Sequence, residues 1–219
     1  MSRLSCFLVK GEMSYFGFKY DLNLEKSIFG ELTILRRSRE GDIDKLETLV
    51  LGGVDVNETI DSGQSPLIVA SFFGQTGAVR FLLAEGARIS ATDVRGCTAL
   101  ICASSRGHIA VCRVLVEKGA DINTESLAGG TAWLLCCGEG HLEIVTYFVE
   151  ERAQDVERRN SRGQTAVMFA AYFSQPHIVQ YLLSKGARRD QRNGMEHFLG
   201  GTARGHGEIV VLLTDEAAH

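Results

Sequence analysis

Apolar residues recur along the chain in pairs of short stripes, each spaced to line one face of a helix. Within residues 93–125, Leu100, Ala103 and Ser104 form the first stripe, at i, i+3 and i+4. Gly107 interrupts the pattern, and a second stripe follows at helical spacing, made of Val111, Cys112, Leu115 and Val116. The pattern predicts two short helices joined by a tight turn.

The residues around these stripes are typical of helix ends. Thr98 suits an N-cap, where its hydroxyl can accept an orphan backbone N–H. Gly107 suits the position that ends a helix, and Gly96 can adopt the positive φ of a tight turn. Gly119 ends the second stripe, and "ADINTE" follows as an extended return. Because such short helices are marginal alone, each unit is expected to bury its apolar faces on the next copy.

Copies of this unit follow one another at a fixed period. One series of glycines is spaced by 33 residues: Gly41, Gly74, Gly107 and Gly140. A second series keeps the spacing of 33 and then steps by 34 and by 31: Gly63, Gly96, Gly129, Gly163 and Gly194. A constant period of this size indicates stacked repeats. The predicted repeat domain spans 30–219, with copies at about 30–59, 60–92, 93–125, 126–159, 160–190 and 191–219. The first and last copies are partial, and the pattern of 30–59 predicts only the second helix and its return.

The repeat resembles the ankyrin repeat, most closely in "GQSPLIVASFFG", "RGHIAVCRVLVEKGADIN" and "GHLEIV". The resemblance implies an all-α solenoid of about five to six helix-turn-helix repeats with β-hairpin-like turns. It also implies a protein-binding module that works as an adaptor, an inhibitor or the recognition arm of a complex. The sequence departs from the family pattern where one link, after residue 150, is one residue longer. Gly200 and Gly201 lie inside a predicted helix and predict a weak C-terminal end.

Residues 1–29 do not match the repeat. The stretch "SCFLVKGEMSYFGFKYDLNL" is rich in Phe and Tyr and is too apolar for a solvated tail. We expect it either to cap the first repeat or to be the remnant of another module. A structural scaffold that self-associates through this segment is the alternative to a solenoid that binds a different protein.

Composition narrows the class of partner. The net charge of −4 argues against a global field that recruits nucleic acid, and no apolar run approaches the roughly 18 residues of a membrane span. No signal-peptide core stands at the N-terminus. The six cysteines include no CxxC pair, and most fall in predicted helices. We therefore expect reduced, buried thiols in a monomeric cytoplasmic or nuclear protein with a protein partner.

One pair of residues has the spacing of metal ligands. Cys137 and His141 lie four apart, which on a single helix could place both on one metal ion. Gly138 and Gly140 break that helix, and His141 fills the Gly-His position of the repeat, as His108 does. No Gly-rich loop leads into Gly-Lys-Ser/Thr, so nucleotide binding has no support. We predict no metal site, no cofactor and no catalytic activity.

The candidate functional residues lie on the surface. The family resemblance implies that the two residues before the glycine ending each first helix face the concave side of the stack. Aromatic residues, which are favoured in interface cores, occupy several of these normally polar positions. The predicted partner-binding residues are Phe72, Phe73, Arg106, Glu139, Tyr172 and Phe173. The alternative is that the aromatics pack on neighbouring repeats.

A second surface feature is charge at the turn tips. Residues 150–192 contain eight Lys or Arg and five Asp or Glu, in an otherwise acidic chain. Arg162 and Arg189 fall at or near the tips, where they are expected to meet an acidic protein partner or else to be solvated. Asn57 and Asn123 resemble the return asparagine that is hydroxylated in some ankyrin proteins, which leaves a regulatory target as a third interpretation.

Overall fold

The computed structural model describes residues 34–188, which form five consecutive pairs of helices joined by turns and extended returns. The first helices of the pairs are α1 (Ile34–Glu40), α3 (Pro66–Phe72), α5 (Ala99–Ser105), α7 (Ala132–Gly138) and α9 (Ala166–Tyr172). The second helices are α2 (Ile43–Leu51), α4 (Thr76–Ala84), α6 (Ile109–Glu117), α8 (Leu142–Thr146) and α10 (Pro176–Ser184). The all-α solenoid predicted from the sequence is confirmed.

The copy at 30–59 contains both helices, although the sequence pattern predicted only the second helix and its return. The segment 1–29, the copy at 191–219 with Gly200 and Gly201, and Arg189 lie outside the described residues. The expectations about a cap, a weak C-terminal end and the outer domain boundaries remain predictions.

Side-chain caps begin α3, α5 and α7, as the sequence predicted for Thr98, whereas α9 begins without such a bond. The hydroxyl of Thr98 accepts the N–H of Ile101 at 3.2 Å, and Thr131 does the same for Leu134 at 3.1 Å. Gly107, which follows α5, has a φ of 79°, in the left-handed region where a residue without a side chain avoids strain. In α5 these local signals set both ends of the helix.

The two layers of helices are buried to different degrees. The inner first helices α3, α5 and α7 have a first helix on each side and a second helix behind them, so α5 is buried at every position from Ala99 to Ser104. Second helices bury one face only; in α6 that face includes Leu115, which is fully buried. The largest fully buried side chains are Trp133 in α7 and Phe148 after α8. The core is therefore one continuous layer between the helices.

The copy at 126–159 accommodates its extra residue as a π-helical turn, Tyr147–Glu151, at the end of α8. One inserted residue is the usual origin of such a turn. Ala153 then takes a left-handed φ of 52° at the position where the other described copies have glycine. The length irregularity predicted after residue 150 thus lies within the second helix and its return.

The π-helical turn also links three copies of the repeat. It directs Glu151 back to Arg113 of α6, at 2.6 Å between Oε1 and Nη2. It directs Glu150 forward to Lys185 at the end of α10, at 2.9 Å between Oε1 and Nζ. Both pairs are largely exposed, so each contributes little by itself. Together they give the irregular turn a partner on each side.

Candidate functional site

The candidate site is a row of residues at the C-terminal ends of the first helices, called here the helix-end row. Within the described residues it consists of Arg39–Glu40, Phe72–Phe73, Ser105–Arg106, Gly138–Glu139 and Tyr172–Phe173. Since α1, α3, α5, α7 and α9 pack side by side, these pairs lie next to one another along the stack.

Phe72 is buried, at 4% exposure, and this corrects the expectation that its side chain is available to a partner. Its ring packs edge-on against Phe73, with centroids 5.1 Å apart. The guanidinium of Arg106, from the next copy, covers the ring at 4.8 Å. Phe72 therefore follows the alternative interpretation, packing within the stack, because the neighbouring repeat covers the face that a single helix leaves open.

The other aromatics of the row are half-buried. Phe73 lies beneath the guanidinium of Arg39, 4.8 Å from the ring centroid. Tyr172 and Phe173 form an edge-on pair with centroids 5.0 Å apart. Phe173 lies against Gly138, where a Cβ would come within 2.8 Å of its ring. The missing side chain at Gly138 thus lets Phe173 pack across the junction and leaves Tyr172 beside it at the surface.

Arg106 and Glu139 place opposite charges between the two aromatic pairs. Both residues are exposed as a whole. Neighbouring groups nevertheless desolvate the Glu139 carboxylate, which raises its pKa, while the charge of Arg106 acts to lower it. A partially desolvated carboxylate beside an arginine and aromatic edges can form directional hydrogen bonds with a bound protein.

The histidines of the repeat hold neighbouring copies together. Nε2 of His108 donates to the carbonyl oxygen of Phe72 at 3.0 Å, and Nε2 of His141 donates to that of Ser105 at 3.1 Å. Gln75 makes the same contact with the carbonyl of Arg39 at 2.9 Å. Burial lowers the pKa of His141, which favours the neutral ring. These contacts account for the Gly-His position without a metal.

The turn tips form a second exposed surface beside the row. Arg162 is exposed there, and its Nη2 donates to the carbonyl of Leu127 at 3.4 Å. Sequence reasoning missed two aliphatic residues at these tips, Val94 and Leu127, which are 62% and 77% exposed. One sequence signal could have identified them: in two consecutive copies, an apolar residue directly follows the first turn residue, Asp93 or Ser126.

The described cysteines are free and buried: Cys97, Cys102, Cys112, Cys136 and Cys137. Burial raises the pKa of Cys97 to about 11 and that of Cys112 to about 12. Thiols with such values carry little thiolate near neutral pH and react slowly. Across residues 34–188 no group of three or more His, Cys, Asp or Glu side chains could hold a metal ion.

None of the helices described between residues 34 and 188 has the length and apolar character needed to cross a membrane.

Comparison with known proteins gives two findings. A family model described as ankyrin repeats, in three copies, matches residues 35–126 and 124–193. A segment of 47 residues, 22% of the chain, is 43% identical to myotrophin of Xenopus tropicalis. That segment spans 40% of the length of myotrophin, so the chain covers less than half of this relative.

Proposed function

The chain belongs to the ankyrin repeat family, whose members generally mediate protein–protein interactions and are typically not enzymes, and on that premise we propose that it binds a protein partner through the helix-end row. The helix-end row would then lie on the concave side of the stack. Such a module serves as an adaptor, an inhibitor or the recognition arm of a complex.

The observation that carries this proposal is the composition of the row. Half-buried Phe73 lies on one side of Arg106 along the row and half-buried Tyr172 and Phe173 lie on the other. Aromatic and arginine side chains are enriched at interface hot spots. Their partial burial holds the rings in place, so little side-chain entropy remains to be lost on binding. The buried ring of Phe72 supports the row by packing edge-on against Phe73.

The turn tips extend the proposed surface. Arg162 adds positive charge beside the exposed Leu127, which suits a partner with acidic residues next to an aliphatic one. Arg189, which the sequence pattern predicts at or near a turn tip, is proposed to add to this charge. Charges at the rim of an interface steer association more than they hold the complex together, so the row is expected to supply most of the affinity.

Site-specific photocrosslinking tests the proposal. Benzoylphenylalanine replaces Glu139, in the row, or Arg80, an exposed residue of α4 in the layer of second helices. The expected result is a crosslinked protein from the Glu139 position and none from the Arg80 position. Crosslinks of equal yield from both positions, or from Arg80 alone, would place the contact elsewhere.

A further inference from the structure

A cleft of about 360 Å³ opens at the junction between the copies 93–125 and 126–159. Its walls are the end of α6, the return Ala120–Asn123, the segment Arg152–Asp155 that follows the π-helical turn, and Arg158. The extra residue of the longer copy lies immediately before one wall. This space is called here the junction cleft.

The hydrogen bonds that close two of the other described junctions are rearranged at the cleft. Asn57 accepts the N–H of Arg88 at 2.8 Å, and Glu157 accepts that of Arg188 at 2.9 Å. Asn123, the counterpart of Asn57, pairs instead with the side-chain amide of Gln154, in two hydrogen bonds of 3.1 and 3.0 Å.

The rearranged pairing leaves a backbone donor at the wall of the cleft. The counterpart of the Arg88 N–H is the N–H of Asp155, and it has no acceptor among the described residues.

The charged groups lining the cleft are not paired with one another. Arg152 and Arg158 are exposed, and neither guanidinium forms an ion pair within residues 34–188. The carboxylates of Asp121 and Asp155 each accept a backbone N–H of their own turn, both at 2.9 Å. Each carboxylate thus has a backbone partner, whereas the two guanidinium groups have no protein partner among the described residues.

A buried donor lies next to the cleft. Trp133 is fully buried, and its Nε1–H has no acceptor among the described residues. A buried indole N–H normally has a hydrogen-bond partner. Trp133 lines a small cavity of about 20 Å³ that shares Asn123 and Arg158 with the junction cleft.

Within the described part of the chain, the donors without partners at this junction are two guanidinium groups, the backbone N–H of Asp155 and the indole N–H of Trp133, whereas Asp121 and Asp155 each already accept a backbone N–H. A complementary ligand must supply acceptors and negative charge, and arginine binds carboxylates through paired hydrogen bonds. The volume of the cleft exceeds that of a single small ion. We propose that the junction cleft binds the carboxylates of an extended acidic peptide segment, as a site separate from the helix-end row.

Trp133 is the only tryptophan of the chain, so its emission reports directly on this junction. The full chain is titrated with acetyl-tetraglutamate amide and, at equal ionic strength, with the matching tetraglutamine peptide, with calorimetry in parallel. We expect saturable binding of the tetraglutamate alone. Arg152→Gln and Arg158→Gln should each weaken it about tenfold, the scale of one charge-assisted hydrogen bond.

Arg80→Gln is the matched control, because it removes the same charge from an exposed position of α4 outside the cleft. Equal weakening by Arg80→Gln, equal binding of tetraglutamine, or no binding by either method would overturn the proposal. Inorganic phosphate that binds more tightly than tetraglutamate would assign the cleft to phosphate and overturn the carboxylate assignment. Each of these failures leaves the helix-end row untouched, so partner binding there is tested separately.

Discussion

Replacing Phe72 with alanine tests whether its side chain packs inside the stack of repeats rather than lying on the surface of the helix-end row. The ring is 4% exposed, contacts Phe73 and lies under the guanidinium of Arg106. Truncating a buried Phe costs about 3–5 kcal/mol, because apolar contacts are lost and a cavity remains. Loss of a partly exposed cation–π contact costs about 0.5–1 kcal/mol more. We expect the free energy of unfolding to fall by about 3.5–6 kcal/mol in total.

Urea denaturation of the full chain measures this loss, followed by Trp133 emission and by far-ultraviolet circular dichroism. Coincident curves justify a two-state free energy. Phe73→Ala is the matched control, and it should cost less because Phe73 is only half-buried. A loss below about 1 kcal/mol for Phe72→Ala, given the range for buried Phe, would refute the reasoning, as would equal losses for the two variants.

Three further changes probe the stack itself. Burial lowers the pKa of His141, so the unfolded chain binds a proton at a higher pH than the folded chain, and the free energy of unfolding should decline as pH falls below about 6.5. The variant His141→Gln keeps a hydrogen-bond donor, as Gln75 does, and should flatten that decline. Urea midpoints between about pH 7 and 5 measure the effect. Ser71 has a buried hydroxyl without a partner, so Ser71→Ala should raise the free energy of unfolding by up to about 1 kcal/mol. Ser38→Ala removes a hydrogen bond of 2.7 Å to the carbonyl of Ile34 and should lower the free energy of unfolding. Thermal melts compare the two variants. In a Cys6→Ser chain, iodoacetamide should label none of the other cysteines before unfolding, and labelling of the native protein would contradict their burial.

The regular parts of the fold could be predicted from the sequence because they depend on local signals. Thr98 caps α5 through its own hydroxyl, and Gly107 adopts the left-handed φ that follows the end of this helix. Both effects operate within a few residues. The spacing of 33 residues then repeats them, so a single copy read in detail predicts the described copies around it.

The features that could not be predicted depend on contacts between copies. A helical wheel places Phe72 off the apolar stripe of α3, yet Arg106 of the next copy covers it. The spacing of the longer copy predicted an extra residue in the link after residue 150, whereas the structure accommodates it in the π-helical turn Tyr147–Glu151. The π-helical turn holds that residue where Glu150 and Glu151 reach opposite neighbours. Such contacts join residues more than 30 positions apart, which local pattern does not describe.

Protein binding through the helix-end row is tested most directly by the affinity of the crosslinked partner, once purified, for the Tyr172→Ala chain. Tyr172 is half-buried at the surface of the row, so the variant should keep most of its unfolding free energy. Calorimetric titration should show binding weakened by about 1–4 kcal/mol, the scale of an interface hot spot, with Arg80→Ala unchanged. Equal affinity of the wild type and a folded Tyr172→Ala chain would contradict binding through this row.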